Sequence, residues 1–181
     1  MADRKVHPAA QMDHVIFVLN GPNLNLLGTR EPQIYGRQTL SDIVLSLHER
    51  AAGLRLTVEA RQTNHEGELI DWLHEAHERK AGAVILNAGG FTHTSVAVRD
   101  AVAAIAPPVI EVHLSNPYGR EAFRRQSLIA PVSKGGIHGF GAQGYLLALD
   151  AAARLCVGTG AATKAQTKEQ GIENGPSGRR H

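Results

Sequence analysis

Gly82-Ala83-Val84-Ile85-Leu86-Asn87 is a short apolar run closed by a glycine on one side and an amide on the other. Runs of this kind are buried on both faces of a parallel sheet. Working outward, His14 to Leu19 is a second apolar run of strand length, Leu54 to Ala60 alternates as a third, and Pro108 to His113 is a fourth. Between them lie helical patterns. Thr39 with Asp42 reads as a capping start for a helix through about Ala52, with Ile43, Val44, Leu47 and Ala51 at helical spacing. Asn64 or Thr63 caps a helix through about Lys80, and a further helix is expected from about Thr94 to Ile105. Ser133 to Phe140 is glycine-rich and weak by propensity, but the helix expected from Ala142 to Cys156 makes a fifth strand the economical reading.

Five βα units without an internal repeat predict an α/β fold, an open, doubly wound five-stranded parallel sheet of flavodoxin-like type in the order 2-1-3-4-5. At 181 residues and 43% hydrophobic content, the chain suits one domain with a sizeable core. The expected organisation is an arm over 1–13, a domain over 14–157 and a disordered tail over 158–181, where Gly, Thr, Gln and Asn displace large apolar residues. Net charge is +2, and the tail carries the excess: without it 15 basic and 15 acidic residues remain. Its final Arg179-Arg180-His181 is too sparse for a polybasic patch, so no nucleic-acid partner is inferred. The single Cys156 forms no internal disulfide, which fits a reducing cytoplasm, and its place near the end of an apolar helix favours a buried structural thiol. No secretory signal is read before the first strand, and no run approaches the roughly 18 apolar residues of a membrane span. A soluble, cytoplasmic protein is expected.

In open parallel sheets, ligands bind outside the carboxyl ends of the strands, where the strand order reverses. The ends of strands 1, 3 and 4 meet there. They carry Asn20 and Asn23, then Asn87-Ala88-Gly89-Gly90, then Glu111-Val112-His113-Leu114-Ser115. The run Asn87 to Ser95 puts small residues and hydroxyls before a helix start, which favours an anion, and serves equally for tight turning and capping by Thr94 or Ser95. His93 adds to the functional side, while Asp100 suits either a ligand or a solvated helix face. Glu111 and His113 are two residues apart on a strand and so project to the same side. A carboxylate in a central strand is costly unless paired, and a Glu that orients an imidazole accounts for it better than packing does. The alternative is a histidine satisfied by backbone.

The long loop Asn20-Gly-Pro-Asn-Leu-Asn-Leu-Leu-Gly-Thr-Arg-Glu-Pro-Gln-Ile-Tyr35-Gly36 combines glycine and proline punctuation with apolar anchors. Such loops are commonly lids or binding loops. It carries Arg30 and Tyr35. An ordinary Tyr titrates near 10, so positive charge must stabilise the phenolate before it acts as a base; lowering it by two or three units takes roughly 3 to 4 kcal/mol. Arg30 is the candidate source. The spacing leaves open a surface Arg30 and a Tyr35 that merely anchors the loop.

Together with that loop, Gln62-Thr-Asn-His-Glu-Gly-Glu-Leu69, Leu86-Asn-Ala-Gly-Gly-Phe-Thr-His-Thr-Ser95, Ile110-Glu-Val-His-Leu-Ser-Asn116 and Gly139-Phe-Gly-Ala-Gln-Gly-Tyr145 resemble type II 3-dehydroquinate dehydratase. The resemblance spans about Val15 to Arg154. It implies anti elimination of water from 3-dehydroquinate to 3-dehydroshikimate through an enolate, with no imine. The same reaction serves aromatic amino acid biosynthesis through shikimate and chorismate, and quinate catabolism. By matching position, the resemblance makes Tyr35 the base, Arg30 the stabiliser of its phenolate, His113 the general acid oriented by Glu111, and Asn23 the enolate stabiliser with a bound water. Substrate contacts fall to Asn87, His93, Asp100, Leu114, Ser115 and Arg124, with Arg120 beside them. It further implies a loop that closes over the substrate, trimers assembled into a homododecamer, and no metal or organic cofactor. His74, His77 and Glu78 lack a recognised metal pattern and are expected on a solvated face.

Two stretches depart from the family pattern. Pro117-Tyr118-Gly119 replaces the frequent Val-His-Ala, and Gln126-Ser127-Leu128 stands where His-Ser-Tyr is common. These bear on loop shape or subunit contact rather than on the reaction. Two other functions fit the strand ends alone. One is a flavodoxin-like binding module for a flavin or small anion, which would need neither an ionisable Tyr beside Arg nor a Glu-oriented His. The other is a different cofactor-free lyase acting on a hydroxy acid.

Overall fold

The apolar runs become the centre of a three-layer sandwich. In the computed structural model, which describes residues 14–29 and 38–169 (only the backbone over 158–169), the strands are β1 (His14–Asn20), β2 (Leu56–Gln62), β3 (Ala83–Asn87), β4 (Val109–His113) and β5 (Gly135–His138). All pairings are parallel, and the order is β2-β1-β3-β4-β5, as the alternation predicted. The helices are α1 (Leu40–Leu54), α2 (Glu66–Glu78), α3 (Phe91–Thr94), α4 (Val96–Ala104) and α5 (Gln143–Glu169). The expected arm 1–13, the positions Arg30 and Tyr35, and residues 170–181 of the expected tail lie outside the described residues.

Strand alternation sorts the apolar side chains into two cores. Ile16, Val18, Ile85, Ile110 and Val112 pack with Ile43 and Leu47 of α1 and with Tyr145, Leu149 and Ala152 of α5. Phe17, Leu19, Val84 and Leu86 pack on the other face with Leu69 and Leu73 of α2 and Val98 and Val102 of α4. Central strands are therefore apolar on both sides, which explains why they read as continuous runs. Cys156 is buried in the first core, and burial pushes its thiol up.

Several boundaries move for identifiable reasons. The Thr39–Asp42 capping box forms as expected, with Thr39 Oγ1 accepting from the Asp42 amide and Asp42 accepting from the Thr39 amide at 2.9 Å. At its other end α1 continues through Leu54 and stops where Arg55 turns left-handed (φ 56°), so β2 begins at Leu56 rather than Leu54. The cap expected from Asn64 or Thr63 is not made at α2, whose first residue follows His65. Thr63 Oγ1 accepts from the His65 amide, and Asn64 Oδ1 accepts from the amide of Asn23 at 2.9 Å, so both side chains are engaged elsewhere. The helix expected from about Thr94 to Ile105 forms as α4, capped by Ser95, whose side chain accepts from the Val98 amide, and the short α3 precedes it where only a turn was read. α5 runs well beyond Cys156, to Glu169, through a segment whose alanines and lysines are good helix formers despite its glycines.

Gly21 marks the point where the β1 loop crosses the β3 loop. Its amide donates to the Asn87 carbonyl at 2.8 Å, and a Cβ there would lie 2.4 Å from the Ala88 carbonyl oxygen. Only glycine allows that approach.

At the β2 edge, Arg61 and Arg79 grip two carboxylates. Arg61 donates to Glu75 at 2.5 and 2.8 Å and to Glu59 at 3.2 Å, while Arg79 donates to Glu75 at 2.8 Å and to Glu59. Hydrogen bonds from Arg61 and Arg79 bring Glu75 down to about 2, and Glu59 is lowered chiefly by Arg79. Carboxylates whose folded values lie below their unfolded ones stabilise the fold above the unfolded value, and that contribution is lost as pH falls through the folded one. The melting temperature is therefore expected to hold from neutrality to about pH 5, then fall as pH drops from about 4.5 toward about 2. Scanning calorimetry across that range is the check; a flat midpoint down to about pH 3 would contradict it. Each pair is half-exposed, so the effect per carboxylate is small.

Candidate active site

The cleft is built on the carboxyl ends of β1, β3 and β4, at the reversal of strand order. From β1 come Pro22 and Asn23, followed by a 3-10 turn over Leu24–Leu26. Asn23 is left-handed (φ 66°) and is fixed through its amide to Asn64, while Leu24 and Leu27 bury the loop against the first core. From β3 come Asn87, Gly89 and Gly90, then His93 on α3. From β4 come His113, Leu114 and Ser115, and the following connection adds Arg120 and Arg124.

The strand places Glu111 and His113 on one side, and they meet. His113 Nε2 lies 2.9 Å from Glu111 Oε1, with the carboxylate only 4% exposed. A carboxylate only accepts, so Nε2 carries the hydrogen and Nδ1 is left as the atom that takes up and releases a mobile proton. Burial alone would raise the Glu111 carboxyl. Hydrogen bonds and charge from His113, with hydrogen bonds from Ser127 and Thr92, outweigh it and hold the group below the usual carboxylate range. The acid is therefore ionised at neutral pH and orients the imidazole.

His93 is fixed differently. Its Nδ1 lies 2.7 Å from the Gln126 carbonyl oxygen, which only accepts, so in the neutral ring Nε2 is an acceptor. The His93 and His113 rings stand nearly parallel, 6.4 Å between centroids. Arg120 lies 3.4 Å from Ser115 Oγ and 3.4 Å from Glu121, and Arg124 pairs with Glu121 at 3.0 Å. The far wall is thus cationic beside strand-end hydroxyl and amide groups, a setting for a carboxylate.

Asn23, Asn87, His93, His113, Leu114, Ser115 and Arg124 line one cleft, with Glu111 directly behind His113. Asp100 does not join them in this chain. On α4 the Asp100 side chain is 63% exposed and pairs with Arg99 at 2.7 Å. Arg30 and Tyr35 fall outside the described residues. Of the histidines set aside, His77 accepts the Ala106 amide through Nδ1 at 3.1 Å, a structural task. Among the described residues no cluster of three or more His, Cys, Asp or Glu is placed to hold a metal ion, and no helix is long and apolar enough to cross a membrane.

Three residues given no role by sequence reasoning support the site: Thr92, Ser127 and Tyr145. Thr92 Oγ1 donates to Glu111 at 3.0 Å, and Ser127 Oγ lies 2.9 and 3.1 Å from its two oxygens. Tyr145, fully buried on α5, donates to Asn20 Oδ1 at 2.6 Å and accepts from Asn87 Nδ2 at 2.9 Å. Asn87 Oδ1 in turn accepts from the Gly89 amide at 3.2 Å, so its amide plane is locked. The available signals were that Thr92 and Tyr145 sit inside the quoted motifs and that Ser127 is the residue shared between Gln126-Ser127-Leu128 and the family's His-Ser-Tyr. Tyr145→Phe leaves two buried amides short of a partner, at about 1–3 kcal/mol. For a chain of this size that lowers the melting temperature by roughly 2–10 °C, with a raised KM as Asn87 loosens; an unchanged melting temperature and KM would refute the role.

Residues 14–153 match the family profile described as Dehydroquinase class II. The chain is 59% identical over 146 residues to the 3-dehydroquinate dehydratase of Chelativorans sp., covering 80% of this chain and all of that protein. It is 55% identical over 140 residues to 3-dehydroquinate dehydratase 1 of Agrobacterium fabrum, covering 77% and 96%. Among solved structures it is similar to the type II dehydroquinase of Propionibacterium acnes, with 42% identity and a TM-score of 0.77 over 80% of this chain and 99% of that one.

Proposed function

The chain belongs to the class II dehydroquinase family, and from that premise we propose how it acts as a hydro-lyase, taking 3-dehydroquinate to 3-dehydroshikimate. The observation that carries the chemistry is the His113 imidazole held by a buried, ionised Glu111 in a cleft with a cationic wall. Tyr35, as phenolate, removes the pro-S proton at C2 of the substrate. The electrons of that bond enter an enolate, which Asn23 stabilises with a water, and such stabilisation accelerates the step only where it strengthens as the charge develops. The enolate then reforms the carbonyl and expels the C1 hydroxyl on the opposite face, while protonated His113 gives its Nδ1 hydrogen to the departing oxygen. Glu111 keeps the imidazole oriented throughout, and Arg30 supports the phenolate.

Substrate binding is assigned to Asn87 and His93 for hydroxyls, and to Leu114, Ser115 and Arg124 for the carboxylate. Asp100, exposed on α4 outside the cleft of a single chain, is kept as a substrate contact on the family resemblance alone. The catalytic unit is the domain over 14–157, in trimers assembled into a homododecamer located in the cytoplasm, a reading supported by the family resemblance and the lone Cys156. Aromatic biosynthesis and quinate catabolism are both served by this reaction; neighbouring genes distinguish them. The direct test adds 3-dehydroquinate to the folded protein and follows the ultraviolet absorbance of the conjugated product. A steady rise is expected, and none from folded protein would overturn the reading.

A further inference from the structure

We propose that Ser127 is a positioning residue that sets Glu111 against His113, tying the arginine-bearing connection between β4 and β5 to the proton donor. The inference rests on the dehydratase reading for its kinetic consequences only. A serine hydroxyl has one hydrogen to give and two lone pairs. At Ser127 both lone pairs are taken, by the amides of Ile129 at 3.1 Å and Ala130 at 2.8 Å. Its hydrogen is therefore directed at Glu111, whose oxygens lie 2.9 and 3.1 Å away. The division of donors matters. Oε1 also receives His113 and Thr92, whereas among the described residues Ser127 supplies the hydrogen bond at Oε2. Without it a buried carboxylate oxygen loses its partner, and the carboxylate is free to turn away from the ring.

The residues either side of Ser127 grip the same region. The Gln126 carbonyl accepts from His93 Nδ1, and the Leu128 amide donates to the Thr92 carbonyl at 2.9 Å. Ile129, fully buried, pins the segment in the second core. One short stretch thus holds both cleft histidines. The same connection carries Arg120 and Arg124, so an anion that orders the arginines acts on a segment already bonded to the carboxylate behind His113. Among the described residues, the charged and titratable groups around His113 are Glu111 on its own strand, His93 on α3, His138 in register on β5, and Arg120 and Arg124 across the cleft.

The test compares Ser127→Ala, Ser127→Val and Ser127→Thr in the full chain. Valine and threonine have the same shape and differ in the hydroxyl, so this pair decides even if the alanine variant fails to fold. Ser127→Ala and Ser127→Val are expected to lower kcat about tenfold with KM within about twofold, and to narrow the kcat profile on its alkaline side. Ser127→Thr restores both. Carbethoxylation of His113 by diethyl pyrocarbonate, followed by peptide mass spectrometry, is expected to speed up severalfold in the Ala and Val variants and to return in Thr. Folded Ala or Val variants with parental kcat and labelling would overturn the proposal, as would a Thr variant no better than Val. Labelling needs no turnover, so a parent chain inert toward 3-dehydroquinate would overturn the dehydratase reading while the labelling still decides the role of Ser127.

Discussion

Replacing His113 with alanine is expected to lower kcat by about 10²–10⁴-fold and to leave KM within a few-fold, the range a positioned general acid contributes. The hydroxyl at C1 is a poor leaving group unless it departs as water, and the role proposed for this imidazole, held in the cleft by Glu111, is to supply the proton. Glu111 keeps its bonds from Thr92 and Ser127 in the variant, so the loss falls on catalysis more than on the fold. Steady-state kinetics with a melting curve on the same sample make the check. A variant that keeps more than about a tenth of parental kcat would remove His113 from the role of acid.

Tyr35→Phe is expected to be at least as severe, with kcat down by about 10²–10⁴-fold, because phenylalanine keeps the ring and removes only the atom that takes the proton. The measurement that separates base from binding is solvent exchange at C2. Parent enzyme in deuterated water exchanges or eliminates the C2 hydrogen, while the Phe variant does neither yet still binds substrate. Retained exchange would assign the base to another group. If Arg30 acts through the phenolate as proposed, changing it as well in the Phe variant is expected to lower kcat no further.

The fold was legible because its signals were local and mutually consistent. Burial on both faces makes β1, β3 and β4 continuous apolar runs, and the Thr39–Asp42 box announces α1. Even glycine-rich β5 follows from the helix behind it. What local patterns misplaced were positions where a side chain serves a distant partner. Asn64 resembles a cap and instead holds Asn23, whereas Ser95, a local cap, was legible.

The same distinction holds at the site. Glu111 and His113 were found because strand alternation alone places them together. Ser127 and Tyr145 were missed because their partners lie 16 and 58 to 125 residues away, reached only through the completed sheet. Asp100, read as suiting either a ligand or a solvated helix face, is exposed on α4 and paired with Arg99.

Tyr145 gives the cleft a schedule. The two asparagines that border the crossing of β1 and β3 come to rest only when α5 delivers its hydroxyl between them. During synthesis, strands β1 to β4 and their loops exist well before that residue. A chain truncated before α5 therefore carries His113 and Glu111 but lacks the hydroxyl that joins Asn20 to Asn87, and is expected to be inactive.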